Sequence, residues 1–346
     1  MEDVAVNTRV LNAPMSGVQR YARELLVRWD GQVDNITPSS SLYGLAGHAW
    51  EQFVLPARLH GRLLFSPSNT GPLKARRQVL TIHDMSVFDW PKGFSPHFAA
   101  WYRFLLPRLA RQVIQVVTVS EFVKERIIHH TKISSEKVTV VPQGVSSRFC
   151  PEARSGLETA VVSLRLPSRN YLLVVGSLEP RKNLPRLFRA WTRALERMPE
   201  EIWLVIVGGR GSRQVFANLP DMNTPPRVFW ADRVDDSELP SLYAGALGSI
   251  YVSLYEGFGL PVLEAMASGA PVLAGNRSSL PEVVGDAGIL VDPEDEEEIA
   301  DGLQVLVGDS ALRQGLRERG LLRAKQFSWD ETARKTWHVL QAAATG

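Results

Sequence analysis

The sequence has a single cysteine, Cys150, in 346 residues, which excludes an intramolecular disulfide and any fold that depends on one. That usage fits a reducing compartment. Long apolar runs are also missing. Residues 171–175 and 202–207 are among the longest, far short of the roughly 20 residues a membrane-spanning helix needs. The first residues, MEDVAVNTRVL, have no basic start leading into an apolar core, so no secretory leader is expected and a cytoplasmic location is. No His/Cys cluster shows metal-ligand spacing, and no Walker P-loop occurs. The glycines at 208, 209 and 211 follow an apolar run but lack the third glycine of a dinucleotide fingerprint, position 214 being Gln214. The acidic run 292–298 reads as the start of a solvated helix and not as a metal site.

Hydrophobic residues make up 45% and charged residues 22%, the composition of an ordinary globular protein, and the length favours two domains over one. The net charge of +2 conceals an asymmetry. Residues 1–150 hold 18 Lys and Arg against 11 Asp and Glu, and the remainder 21 against 26. A basic first half invites an anionic partner, such as nucleic acid, a phospholipid surface or an anionic substrate; attraction between the two halves is an equally open reading.

Along the chain, apolar runs alternate with helical periodicity, the pattern of an α/β fold with parallel sheets. Strands are expected at 4–11, 62–66, 78–83, 113–119 and 138–142, then at 171–176, 202–209, 228–231, 246–254, 270–274 and 288–291. Helical spacing marks Val18, Tyr21, Ala22, Leu25, Leu26 and Trp29, and again Leu184, Leu187, Phe188, Trp191 and Leu195. Residues 31–60 show no clear period. The irregular segment 146–169 reads as a linker. Ser120 is placed to cap a helix. The stretch 98–111, FAAWYRFLLPRLAR, reads as a helix packed on its own sheet and bent at Pro107, or as a surface helix on an anionic bilayer with Lys74, Arg76 and Arg77 beside it.

The most informative segment is residues 255–269, YEGFGLPVLEAMASG. Gly257 and Gly259 open backbone conformations closed to other residues, Pro261 suits a helix start, and Gly269 suits its end. Strand, glycine loop and helix N-terminus together favour an anion, because the first-turn N–H groups lack intrahelical partners. Two carboxylates, Glu256 and Glu264, are wrong for the anion itself but right for hydroxyls, which donate to them. A phosphorylated sugar meets both demands. The plainer reading is a simple strand-to-helix turn with Glu264 on a solvated face.

Glu256 and Glu264, eight apart around G-F-G-L-P and followed by E-A-M-A-S-G-A-P-V, resemble the signature of the retaining glycosyltransferases of family 4. The E-P-R-K-N run at 179–183, His83-Asp84 at the end of a strand, and S-G-V-Q-R-Y at 16–21 extend the likeness from Leu11 to Trp329. The resemblance implies a GT-B fold, two Rossmann-like β/α/β domains facing across a cleft. Residues 1–165 would bind the acceptor, residues 166–326 the nucleotide sugar, and residues 327–346 would cross back to the first domain with Phe327 and Trp329 as anchors. It also implies site residues. His83, Glu256, Arg181 and Lys182 would be catalytic; Gly17, Arg181, Lys182, Glu256, Gly257, Phe258, Gly259, Leu260 and Glu264 would bind the donor. Arg181 and Lys182 are expected as exposed cations at the diphosphate, Glu256 at the transferred sugar, and Glu264 at the ribose hydroxyls. Neither a metal nor a cofactor is implied. The expected partners are a nucleotide sugar, with a GDP-sugar favoured, and a glycan or lipid-linked saccharide acceptor, not nucleic acid. Contact of the basic first domain with the cytoplasmic face of an anionic membrane is a further expectation.

Departures are Asp232-Arg233, where the family commonly has a glycine before a hydrophobic residue near the base pocket, and Val252 in place of a frequent proline. The first bears on which base is bound. The look is that of bacterial mannosyl- and rhamnosyltransferases of polysaccharide assembly. Two other functions share the frame: a GT-B epimerase or phosphorylase acting on a sugar phosphate, and a non-catalytic nucleotide-sugar-binding protein. A lysine-bound pyridoxal would mark the phosphorylase, and the presence of Glu256, Lys182 and Glu264 argues against the non-catalytic protein.

Overall fold

The structure, a computed structural model, describes residues 4–13, 15–38, 42, 44–209 and 223–345. The expected glycine cluster is therefore described only to Gly209; Arg210 and Gly211 lie outside the described residues. The chain divides into two compact units, one formed by Met1–Asp89, Pro96–Gly144 and Phe327–Gly346, the other by Trp90–Ser95 and Val145–Gln326.

The first unit is built on β1 (Val4–Asn7), β2 (Asp34–Ile36), β3 (Leu63–Ser66), β4 (Gln78–Ile82), β5 (Gln115–Thr118) and β6 (Val138–Val140). All pairings are parallel and the order is β2-β1-β3-β4-β5-β6. β1 is shorter than its apolar run because the Asn7 side chain accepts from the Arg9 N–H and turns the chain into a 3-10 helix, Thr8–Asn12. β2 and the helix Gly44–Phe53 occupy the stretch without clear period; β2 is three residues long and buries one of them. The helix Pro96–Gln112 runs through Pro107 and buries Ala99, Leu105, Leu106, Leu109 and Ala110, as a helix packed in its own unit does. Ser120 caps the helix Glu121–Thr131, accepting from the Val123 N–H.

The second unit carries β7 (Tyr171–Val175), β8 (Trp203–Val207), β9 (Val228–Asp232), β10 (Gly248–Tyr251), β11 (Val272–Gly275) and β12 (Gly288–Val291), again all parallel, in the order β12-β11-β10-β7-β8-β9. The order reverses between β7 and β10. Such a switch point leaves a crevice beyond the carboxyl ends of the strands, where ligands of doubly wound sheets bind. One core of this unit buries Leu184, Leu187, Phe188 and Trp191 of the helix Leu184–Ala194 against Ile299, Leu303 and Leu306 of the helix Glu296–Gly308. Their spacing on each helix makes a single apolar stripe.

The expected domain boundary at residue 165 is corrected. Residues 145–165 pack with the second unit, and the segment read as a linker holds a 3-10 turn, Pro151–Gly156, and a helix, Leu157–Leu164. The reason is apolar. Phe149, Leu157 and Ala160 are buried, the Phe149 ring meets Tyr243 edge-on at 5.9 Å, and Leu157 covers Gly245. The chain returns to the first unit at Phe327. The helix Trp329–Thr345 buries Trp329 and Leu340 there, and Thr332 Oγ1 donates to the Pro142 carbonyl at 2.8 Å. A Cβ on Gly144 would fall 2.1 Å from the Trp329 backbone nitrogen, so glycine is required where the helix docks.

Candidate active site

β10 ends at Tyr251, three residues short of its apolar run, and the chain crosses the mouth of the switch point as the loop 252–259. Gly259 adopts φ +110°, and a Cβ there would press to 2.9 Å of Leu280 Cδ2. The loop therefore turns at glycine because another residue would be both strained and crowded. The helix Leu260–Ala267 follows, with Pro261 at its second position. Two serines after β11 hold the loop. Ser278 Oγ accepts from the Glu256 N–H at 3.0 Å, while Ser279 Oγ donates to the Glu256 and Phe258 carbonyls at 3.0 and 2.9 Å.

From β7 the chain runs into the 3-10 turn Pro180–Lys182. Asn183 adopts φ +64° and ties the turn down, its Nδ2 donating to the Val252 and Pro293 carbonyls at 3.1 and 2.6 Å. This places Arg181 and Lys182 over the 252–259 loop. Arg181 Nη1 donates to Glu256 Oε2 at 2.8 Å, and Lys182 Nζ donates to Glu256 Oε1 at 2.7 Å. Arg181 also forks onto Glu179 through Nε and Nη2, at 3.0 and 2.9 Å, and Lys182 donates to the Tyr251 hydroxyl.

The two cations are thus not the exposed charges expected from the sequence. Their side chains are 17% and 11% exposed, and each is committed to a carboxylate. Burial pushes the Glu256 carboxyl up; the charges of Arg181 and Lys182, with the Lys182 hydrogen bond, outweigh it and bring the group down to about 2. Burial and the neighbouring Glu256 charge push the Tyr251 hydroxyl well above its ordinary value, so it stays protonated. Glu264 is 5% exposed, not on a solvated face, and Tyr243 donates to it at 3.4 Å.

Of the residues singled out from the sequence, the structure gathers Arg181, Lys182, Glu256, Gly257, Phe258, Gly259, Leu260 and Glu264 in the second unit. His83 and Gly17 belong to the first. Gly17 opens the helix Gly17–Arg28, and four residues on Tyr21 sets its ring edge against His83, centroids 4.8 Å apart. His83 follows β4. Its Nε2 lies 2.9 Å from the Pro67 carbonyl, which can only accept, so the neutral ring carries its proton on Nε2 and leaves Nδ1 as acceptor for Gln143 Nε2 at 3.3 Å. Burial holds the His83 pKa below its ordinary value, with the Pro67 bond and Asp84 opposing.

Tyr251, Glu179, Asn183, Ser278 and Ser279 complete the cluster and are given no role by the sequence, although Glu179 and Asn183 lie inside the E-P-R-K-N run. Tyr251 carries a readable signal of its own, a polar-tipped residue at the carboxyl end of a parallel strand. Among the described residues no group of three or more His, Cys, Asp or Glu could hold a metal ion, and no helix is long and apolar enough to cross a membrane.

Comparison with known proteins agrees with this architecture. Among solved structures, Anabaena Alr3699/HepE in complex with UDP and glucose superposes with a TM-score of 0.75 at 16% identity, over 99% of this chain and 100% of that one. The fold is that of the GT-B glycosyltransferases. The description "Glycosyl transferases group 1" matches residues 159–323 and "Glycosyltransferase Family 4" matches residues 56–149. O-antigen chain mannosyltransferase B of Escherichia coli is 33% identical over 267 residues, 77% of this chain and 70% of the relative. O-antigen chain mannosyltransferase RfbU of Salmonella typhimurium is 29% identical over 274 residues, 77% and 71% of the two chains. The chain belongs to the group 1, family 4 glycosyltransferases.

Proposed function

We propose that this protein is a retaining hexosyltransferase that moves mannose from GDP-mannose to a glycan or lipid-linked saccharide during assembly of a surface polysaccharide. The observation that carries the reading is the pairing of Arg181 and Lys182 on Glu256 at the switch point of the second sheet. The mannosyl and O-antigen assignment follows the names of the relatives above.

In this reading the donor diphosphate takes Arg181 and Lys182 from Glu256 and sits against the peptide N–H groups near Gly259 and Leu260. The charge that grows on the leaving diphosphate is then met by fixed cations and dipoles of the chain itself, without a metal ion. Removing one such group typically costs about 3 kcal/mol of barrier. Glu256, released from the cations, accepts hydrogen bonds from hydroxyls of the transferred sugar, and Glu264 holds the ribose hydroxyls. His83 accepts a hydrogen bond from a substrate hydroxyl through Nδ1, and Gly17 leaves room for substrate beside it. In the free protein Arg181 and Lys182 engage both Glu256 oxygens; once those cations turn to the diphosphate, the oxygens turn to the sugar hydroxyls, a role in orientation and charge and not that of a covalent nucleophile. The bond from the anomeric carbon to the diphosphate breaks and the acceptor hydroxyl attacks from the same face through an oxocarbenium-like state, its proton passing to the departing diphosphate oxygen, which keeps the anomeric configuration.

The first unit exposes Phe53 (72%) and Phe104, with Lys74 lying 5.8 Å from the Phe53 ring and Arg108 lying 3.7 Å from that of Phe104. Such amphipathic pairs support peripheral contact with an anionic bilayer. Sedimentation with anionic liposomes at low salt tests it; protein left in the supernatant removes it.

The deciding experiment combines thermal shift with a panel of nucleotide sugars and product analysis by NMR. Stabilisation by GDP-mannose and an α-linked product are expected. Stabilisation by another donor alone refutes the donor assignment, and an inverted linkage refutes the stereochemistry.

A further inference from the structure

Glu51, in the helix Gly44–Phe53, is 0% exposed and plays no part in the reading above. It lies beside the ends of β1 and β3, where the order of the first sheet reverses. Its Oε1 accepts from Asn7 Nδ2 at 2.6 Å, its Oε2 from Thr70 Oγ1, and Arg9 Nε and His48 Nδ1 stand 3.5 and 3.7 Å away. Burial raises its carboxyl, but the neighbouring His48 and Arg9 and the Thr70 hydrogen bond prevail and hold it below its ordinary value. A buried ionised carboxylate is costly unless fully paired, and an apolar residue of similar size would serve the core as well.

What the carboxylate grips is the segment following β3. Thr70, held by Glu51, donates its backbone N–H to the Ser68 carbonyl at 2.7 Å. One residue earlier, Asn69 Oδ1 accepts from the His83 N–H at 2.6 Å, and the Pro67 carbonyl accepts from His83 Nε2 at 2.9 Å. Residues 67–70 thus form a bracket with one end on Glu51 and the other on both the backbone and the ring of His83.

We propose that Glu51 is a positioning residue for glycosyl transfer: through Thr70 it fixes the 67–70 bracket, which keeps His83 in its Nε2–H tautomer and so presents Nδ1 as a hydrogen-bond acceptor. This rests on the assignment of His83 to a substrate hydroxyl. If the bracket slackens, Nε2 loses its carbonyl, the proton can move to Nδ1, and the nitrogen meant to accept becomes a donor. The Gln143 contact at 3.3 Å is the longest of the His83 hydrogen bonds named here and is the one a hydroxyl would displace.

The test uses the full chain labelled with 15N-histidine, in wild type, Glu51→Gln and Thr70→Val. Imidazole nitrogen resonances are read by long-range correlation NMR, alongside initial rates and GDP affinity. The wild-type His83 ring is expected as pure Nε2–H. Both variants should show a mixture of tautomers and roughly tenfold to hundredfold slower transfer, as a small misplacement of a catalytic group produces. Donor KM and GDP affinity should stay within about twofold. If Glu51→Gln fails to fold, Thr70→Val answers alone, since it removes one hydroxyl at nearly constant volume. A variant whose His83 ring is unchanged overturns the link to Glu51 and leaves the role of His83 standing. A shifted ring with unchanged turnover removes His83 from the reaction, and the proposal with it.

Discussion

Replacing Glu256 with glutamine should make the protein bind nucleoside diphosphate more tightly while it transfers sugar more slowly. In the free protein Glu256 holds the cations assigned to the diphosphate, with Arg181 at 2.8 Å and Lys182 at 2.7 Å. The strength of that hold is visible in the carboxyl, which falls from an ordinary 4.5 to about 2 although burial alone would raise it. At about 1.4 kcal/mol per pH unit, the surroundings favour the charged over the neutral group by about 3 kcal/mol net. A diphosphate bound as proposed displaces this competitor, and an amide competes far less. Up to about a hundredfold gain in GDP affinity follows from that energy, and at least about tenfold is expected once the amide's own hydrogen bonds are allowed for. Transfer should fall by at least about a hundredfold, because the amide cannot serve the sugar hydroxyls as a carboxylate does. Isothermal titration with GDP at neutral pH, beside initial rates with the donor, reads both quantities. A variant that loses GDP affinity together with turnover would refute the exchange of cations between Glu256 and diphosphate.

Lys182→Ala should slow transfer by about 3 kcal/mol of barrier, more than a hundredfold, with an unchanged circular dichroism spectrum; near-wild-type turnover would remove Lys182 from the site. Stability should carry the mark of Glu256 in acid. Its folded pKa lies below the unfolded one, so its contribution is complete above about pH 4.5 and is lost as pH falls toward 2. Urea unfolding at pH 7 and pH 3 should therefore show a steeper loss for wild type than for Glu256→Gln, and parallel losses would contradict the ion cluster. Gly144→Ala places a Cβ 2.1 Å from the Trp329 nitrogen and should lower the melting temperature by several degrees through loss of helix docking. An unchanged melting temperature would show that the contact yields freely.

The architecture was legible because parallel sheets bury both faces of their strands, leaving continuous apolar runs such as 202–207. It failed where elements owe their existence to distant partners. β2 has no apolar run of its own and forms by pairing with β1, and the helix Leu157–Leu164 is held by the helix Leu239–Gly245, where Leu157 lies against Gly245. In the site, Glu256 and Lys182 sit in local motifs and could be named. Their pairing could not, since 74 residues separate them and only the folded sheet brings them to one crevice. For the same reason the sequence alone presents the two cations as exposed. Tyr251 and Glu51 carry no motif; their partners, Lys182 for the one and Asn7 and Thr70 for the other, come from elsewhere in the chain.

The excursion of the chain through the second unit between Val145 and Gln326, before the helix Trp329–Thr345 returns to the first, orders events during synthesis. The second unit has all its residues once the ribosome has released residue 326, whereas the first waits for Trp329 and Leu340 to fill its core. The earlier-made part is thus the later one finished. A premature stop before Leu340 would leave the first unit without a side chain its core buries, although the lesion lies about two hundred positions downstream of the sheet it completes.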